Sequence, residues 1–386
     1  MERLWTKPFI QMTVSMLFLF TGFYLLLPTM PLYIKELGGT ESQVGLAAGA
    51  FTLAAVVFRP FVGAMLDRHG RRIFYVWGLI AFVICMYSYT WATGIFLLLA
   101  LRMLHGVSWA FSTTAVGTVI TDLIPASRRG EGMGWYGMAM TVAMAIGPLV
   151  GTSLLEGYSF HTLFLVAFLL SMVALILAYI TKAPFQAKSS TGRIQLLEKS
   201  VLPVTVALFF LAVAYGGITT FLPLFASSIH VNPGAFFLVY AIALTLVRPL
   251  AGKLSDRFGE AKVIMPSLIL TAAALLILSL SNGWFGLITA AILYGVGFGS
   301  AQPALQAATL RIAPDDRRGA ANASFMTAFD LGIGLGAIGL GWVSEFSSYS
   351  VLFTVTAISV LVSFLIFTLF VRRLLRVTSD RTNTSH

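Results

Sequence analysis

Arg102 and Asp330 are the ionisable residues of this chain that lie well inside long apolar runs, and both suit chemistry in a low-dielectric setting. Arg102 falls about eight residues into the run 94–121, roughly 12 Å along a helix, which is near the midplane of a hydrocarbon layer about 30 Å thick. A cation there costs at least about 2.5–3.5 kcal/mol, so it must face a cavity, an acid or backbone carbonyls. Asp330 falls about eleven residues past Gly319, roughly 16 Å along its helix. A carboxyl group at that depth is fitted to carry a proton or to neutralise a cationic substrate. Each also suits a structural role as a tie between helices. Gln302 and Gln306 are spaced i, i+4 and share one helix face, and amides are not expected against lipid. His105 suits a helix contact or a substrate contact. No segment has the spacing of a phosphate-binding loop, a zincin or a nucleophile elbow. Cys85 is the single cysteine, which excludes a disulfide framework. The chain therefore reads as a non-enzyme with no metal and no cofactor.

The elements that position these residues follow from composition. The 386 residues are 58% hydrophobic and 10% charged, with a mean hydropathy of +0.88, whereas soluble domains carry about 25% charge. That excludes a soluble globular protein and a disordered one, and makes the lipid bilayer the solvent for most of the chain. Apolar runs predict twelve helices, at 8–33, 42–62, 73–90, 94–121, 132–155, 160–181, 201–226, 234–253, 263–281, 284–311, 319–343 and 348–371. The first is too long for a secretory signal and is read as a retained helix. The fold class is thus an all-α polytopic membrane protein. Residues 1–181 form one six-helix bundle, 182–200 a polar linker, 201–371 a second bundle and 372–386 a tail.

Charge placement sets the orientation. All of the 25 Lys and Arg residues except Lys35 and Arg102 fall in segments on one side of this topology. The positive-inside rule makes that side, with the linker and both termini, cytoplasmic in a cell membrane. The net charge of +10 is then a topology signal, and no nucleic-acid partner is expected.

The chain also repeats itself. At an offset of 189 residues, Arg59-Pro60-Phe61-Val62-Gly63 and Asp67-Arg68-His69-Gly70 return as Arg248-Pro249-Leu250-Ala251-Gly252 and Asp256-Arg257-Phe258-Gly259. Gly106-Val107 returns as Gly295-Val296, and Pro125 with Arg128-Arg129-Gly130 returns as Pro314 with Arg317-Arg318-Gly319. Four landmarks in one register make the chain two copies of a six-helix unit, a recurrent transporter architecture. Glycine is concentrated in helices 5 and 11, while helices 3, 6, 9 and 12 carry only Gly78. Helices 5 and 11 are expected to pack closely on other helices and the latter four to face lipid. Pro28, Pro31, Pro148, Pro223 and Pro303 lie inside predicted spans, where protein or a cavity must satisfy the freed carbonyls.

The segment Gly63-Ala-Met-Leu-Asp67-Arg68-His-Gly70-Arg71-Arg72 between helices 2 and 3 resembles motif A of the major facilitator superfamily. Arg102-Met-Leu-His105-Gly106 resembles motif B of its antiporters, with His105 where Gln is usual. Gly147-Pro148-Leu-Val-Gly151-Thr152 resembles their motif C, with Thr152 in place of the second glycine. Pro28-Thr-Met-Pro31 resembles a further pattern of the twelve-helix drug:proton antiporter branch. The resemblance spans the whole chain and implies a gate in which Asp67 sits at the start of helix 11, near Gly319–Asn322, and Arg68 reaches Asp122. It links Arg102 to proton coupling. It places helices 1, 4, 7 and 10 around the substrate, which on this sequence offers Tyr24, His105, Trp109, Phe111, Tyr215, Phe221, Tyr294, Gln302 and Gln306.

The implied function is proton antiport that exports small organic molecules, drug-like or metabolite, by a monomer using alternating access. Asp330 and Arg102 would carry the coupling. A rival is an exporter of an anionic metabolite or metal chelator, with Arg102 and His105 as counter-charges. A non-transporting membrane sensor is a further alternative, disfavoured by the want of a long soluble output domain.

Overall fold

The computed structural model describes residues 3–69, 71–125, 128–181, 198–314 and 317–375. Twelve helices are long and apolar enough to cross a membrane, and among the described residues there is no strand. They are α1 Lys7–Glu36, α2 Glu41–His69, α3 Arg71–Ser88, α4 Ile95–Leu123, α5 Arg129–Gly157, α6 Phe160–Ile180, α7 Leu202–Ser228, α8 Pro233–Phe258, α9 Glu260–Leu280, α10 Trp284–Ile312, α11 Arg318–Phe346 and α12 Tyr349–Ile366. Short 3-10 turns at Tyr89–Trp91 and Lys199–Val201 adjoin α3 and α7.

Most helices overrun the apolar runs, because the backbone ladder continues where hydropathy has already fallen. The largest difference is in α2, which extends through His69. The segment expected as a loop after Gly63 is therefore the last two turns of a helix. Its repeat partner α8 likewise runs to Phe258, and Gly259 then turns the chain at φ 87°, a left-handed conformation open to glycine. Helix starts carry the expected signals. Asn232 accepts a hydrogen bond from the Gly234 N–H at 2.7 Å with Pro233 opening α8, and the side chains of Thr6, Ser159 and Ser348 cap α1, α6 and α12.

Two compact units result, one of Met1–Gly39 with Ala50–Gly192, the other of Thr40–Gly49 with Arg193–His386. In the first, α1 packs on α5 and α6, and α3 on α4 and α6. In the second, α7 packs on α11 and α12, and α9 on α10 and α12. The sequence repeat is thus also a repeat of neighbours. The glycine-rich helices do pack closely, α5 on α1 and α11 on α7. Interhelical hydrogen bonds repeat as well. Ser15 donates to the Ala174 carbonyl at 2.7 Å between α1 and α6, and Ser363 to the Ala207 carbonyl at 2.7 Å between α12 and α7.

The first turns of α2 belong to the second unit, a membership that hydropathy does not reveal. Gly45 lies so close to α11 that a Cβ there would collide with the Ala337 carbonyl. The Ser42 N–H donates to the Glu345 carboxylate at 2.9 Å, and the Tyr349 hydroxyl donates to Glu41 at 3.2 Å. A Glu345 carboxylate at the α2 N-terminus is also favoured by the helix dipole.

Candidate functional site

In the first unit the site is built on α4. Arg102 is buried, with its guanidinium carbon 4.5 Å from the centroid of the Phe51 ring. It lies seven residues from the Ile95 end of a 29-residue helix, about 10 Å along some 43 Å. Arg102 is thus about midway between that end and the helix centre. The Tyr89 hydroxyl accepts a hydrogen bond from Arg102 and lies 3.0 Å from His105 Nδ1. A polar chain therefore runs Arg102–Tyr89–His105. His105 is fully buried between the rings of Phe51 and Phe82, each 4.9 Å away, and its Nε2 has no hydrogen-bond partner.

One turn further on, Trp109 stacks on Phe23 at 4.3 Å and meets Phe20 edge-on at 4.8 Å. Tyr24 adjoins both phenylalanines. The motif C glycines decide how that turn of α1 is held. A Cβ on Gly147 would lie 2.6 Å from Tyr24 Cβ, and one on Gly151 would collide with the Leu25 carbonyl. The backbone of α5 can therefore lie directly against the turn that carries Tyr24. Thr152, where the motif has a second glycine, donates back to the Pro148 carbonyl at 3.0 Å. Gly147→Val is expected to lower stability in detergent by about 1–3 kcal/mol, the usual effect of overpacking. Gly134→Ala, where a Cβ meets open space, is expected to be neutral or slightly stabilising. Thermal unfolding of the two variants checks this.

In the second unit the corresponding group is an aromatic stack. Tyr215 of α7 and Tyr294 of α10 sandwich Phe298, at 5.0 Å with 13° between planes and at 5.5 Å with 6°. Phe329 of α11 lies 5.7 Å from Tyr215. The next residue, Asp330, is half-buried near the centre of its helix. Tyr294 is buried and its hydroxyl has no hydrogen-bond partner, an arrangement that normally costs about 1–3 kcal/mol. Gln306 donates to the Asn322 side chain at 2.9 Å, joining α10 to α11, while Gln302 is half-buried on the same face. Phe221 is fully buried in α7 and Phe111 half-buried in α4.

Phe51, Tyr89, Phe298 and Phe329 thus join the sites without having been singled out from sequence, and Asn322, expected near the gate, joins Gln306. The i, i+4 spacing of Tyr294 and Phe298 was a usable signal. For Tyr89, near the end of the run 73–90, there was none.

The gate motif is described in part. Gly70 lies outside the described residues, as do the side chains of Asp67, Arg68 and Arg71 and the surroundings of Gly63, and with them the expected contacts to α11 and Asp122. Asp122 is exposed near the end of α4. In the second unit, Arg311 at the end of α10 pairs with Glu260 at the start of α9 at 2.8 Å. The repeat counterparts of Glu260 and Arg311 are Arg71 and Asp122, the same two charges exchanged.

The segment leading into α7 is also anchored. Glu198 is buried, 3.4 Å from Arg317, accepts the Ser200 N–H at 3.0 Å, and donates its own N–H to Ser324 at 2.9 Å. Val201 packs beside it on Ala313 and Ala321. The Ser200 N–H and the Arg317 guanidinium hold the Glu198 carboxyl below the usual carboxylate range. Because the folded value is depressed, the contribution is present above the unfolded pKa and is lost as pH falls through the folded one. Melting temperatures measured from neutral to acidic pH are expected to fall more steeply for the native protein than for Glu198→Gln.

A sequence model of the Major Facilitator Superfamily matches residues 12–247 and 234–385. The chain belongs to that superfamily, and its twelve-helix fold is the one the superfamily shares. It is similar to the staphylopine export protein of Staphylococcus aureus, 26% identical over 378 residues that make up 92% of this chain and 94% of that protein. It is also similar to the quinolone resistance protein NorA of the same organism, 25% identical over 311 residues, 74% of this chain and 77% of the other. Among solved structures, that of the nucleoside transporter NupG superposes with a TM-score of 0.76 at 18% identity, over 95% of this chain and 99% of that one, a likeness of fold. The protein is accordingly a multi-pass membrane transporter.

Proposed function

We propose that the protein is a monomeric antiporter of the drug:proton branch that exports small organic molecules from the cell in exchange for protons, by alternating access. The observation that carries this reading is Asp330, a half-buried carboxyl group near the middle of α11, next in sequence to Phe329, whose ring packs with Tyr215 and Phe298. An ionisable group at such a position is a functional site by default, and aromatic faces suit amphipathic organic substrates. Asp330 takes the proton role. Arg102, with Tyr89 and His105 beside it, shares the coupling role. Tyr24, Trp109, Tyr215, Tyr294, Gln302 and Gln306 are the side chains proposed for substrate contact. Export is supported by the motif C residues and by two relatives whose names state export or drug resistance. The cell membrane, with both termini cytoplasmic, completes the reading. The test is a proteoliposome assay with an imposed pH gradient and a panel of organic cations, anions and neutral compounds. Substrate movement against the proton gradient is the expected result, and movement indifferent to that gradient overturns it.

A second reading is export of an anionic metabolite or metal chelator. The buried Arg102 cation and the unpartnered His105 Nε2 favour it. Under this reading only the anions of the panel are transported.

A further inference from the structure

A groove of about 480 Å3 runs between α8, α9 and α10 in the second unit, walled by residues such as Leu250, Leu254, Pro266 and Leu270, with Lys262 on its lining. Its apolar walls are not covered by protein: Leu250 is 59% exposed and Leu254 48%. Two cations mark its end. Arg257 lies 5.1 Å and Lys262 5.6 Å from the centroid of the Phe258 ring, itself part of the wall. Glu260, between them in sequence, is engaged by Arg311.

The internal repeat supplies a comparison within the same molecule. At the equivalent positions of the first unit, Val247, Leu250, Val263, Pro266 and Ser300 are replaced by Phe58, Phe61, Phe74, Trp77 and Phe111. There the Phe58 and Phe61 rings pack at 6.4 Å and Phe74 stacks on Phe111 at 6.5 Å. Lys262 becomes Ile73. Where the first unit places aromatic rings and an isoleucine, the second leaves space and provides the Lys262 cation, while Arg257 has Arg68 as its counterpart.

We propose that this groove binds an anionic phospholipid, with an acyl chain along Leu250, Leu254 and Pro266 and the phosphate at Lys262 and Arg257. The coincidence of an uncovered apolar wall with a cationic end matches the two parts of such a lipid. The choice of the cytoplasmic leaflet rests on the orientation proposed above, under which the α8–α9 turn faces the anionic lipids of that leaflet.

The test is native mass spectrometry of the full chain in neutral detergent, titrated with phosphatidylglycerol, phosphatidylcholine or glycerol phosphate. Phosphatidylglycerol is expected to bind at least about fivefold more tightly than phosphatidylcholine, and Lys262→Gln to lower that preference about fivefold, as the loss of one surface charge near a headgroup predicts. Pro266→Trp, which installs the first unit's residue, is expected to weaken both lipids. Should that variant misfold, the exposed Lys262 still carries the test. Equal binding of the two lipids, or an unchanged preference in Lys262→Gln, overturns the proposal. Glycerol phosphate binding as tightly as phosphatidylglycerol would show a simple anion site and overturn the lipid assignment. Binding in micelles does not depend on orientation, so a wrong leaflet would appear separately, in the protease accessibility of the C-terminal tail in sealed vesicles.

Discussion

Asp330→Asn is expected to abolish proton-driven substrate accumulation in everted vesicles while leaving substrate exchange at equal pH within about twofold of the native rate. Asparagine keeps the size and polarity of the side chain but cannot take up and release a proton. A proton crossing about 100 mV delivers about 2.3 kcal/mol, which at about 1.4 kcal/mol per decade sustains a substrate gradient of roughly 50-fold. The variant's gradient is therefore expected to collapse to unity. Retained exchange is the informative part, since it shows that the variant still binds substrate and has lost only the coupling to protons. If the variant accumulates substrate as the native protein does, Asp330 does not carry the proton.

Arg102→Ala is expected to reduce transport at least 30-fold, and Arg102→Lys about tenfold. The guanidinium is held in part by the Phe51 ring at 4.5 Å and the Tyr89 hydroxyl. A desolvated cation–π contact contributes about 2 kcal/mol or more, and alanine loses it together with the hydrogen bond. Lysine keeps the charge but not the planar face or the fork of donors. Both variants are to be scored against the amount of folded protein. The substrate panel then separates the two functional readings. Loss of transport for every substrate supports a coupling role, whereas loss confined to anions makes Arg102 the substrate's counter-charge. Transport by Arg102→Ala within about twofold of native would remove the residue from both.

Much of the fold was legible in the chain. Twelve spans, their order and the half repeat follow from apolar runs and a fixed offset, and the helices appear where these place them. The ends were less legible, as the helical segment Gly63–His69 shows, because charged residues at a membrane boundary look like loop whether or not the helix continues. The site was legible as single residues. Arg102 and Asp330 stand out because ionisable groups inside apolar runs are costly, and that cost can be read without coordinates. Their partners were not legible. Tyr89 lies in a 3-10 turn beyond α3, and Phe51 is one of 31 phenylalanines.

What the sequence determined by itself was therefore which segments enter the bilayer and which residues are anomalous there, since transfer from water to lipid sums residue by residue along the chain. What only the tertiary structure decided was which side chains meet. It set His105 behind Tyr89, assigned Thr40–Gly49 to the unit of α11, and left a groove in one repeat where aromatic rings stand in the other. In lipid no hydrophobic force distinguishes one helix face from another. Pairing is settled instead by how closely backbones approach and which polar groups find partners, and both depend on rotations and distances that a one-dimensional pattern does not contain.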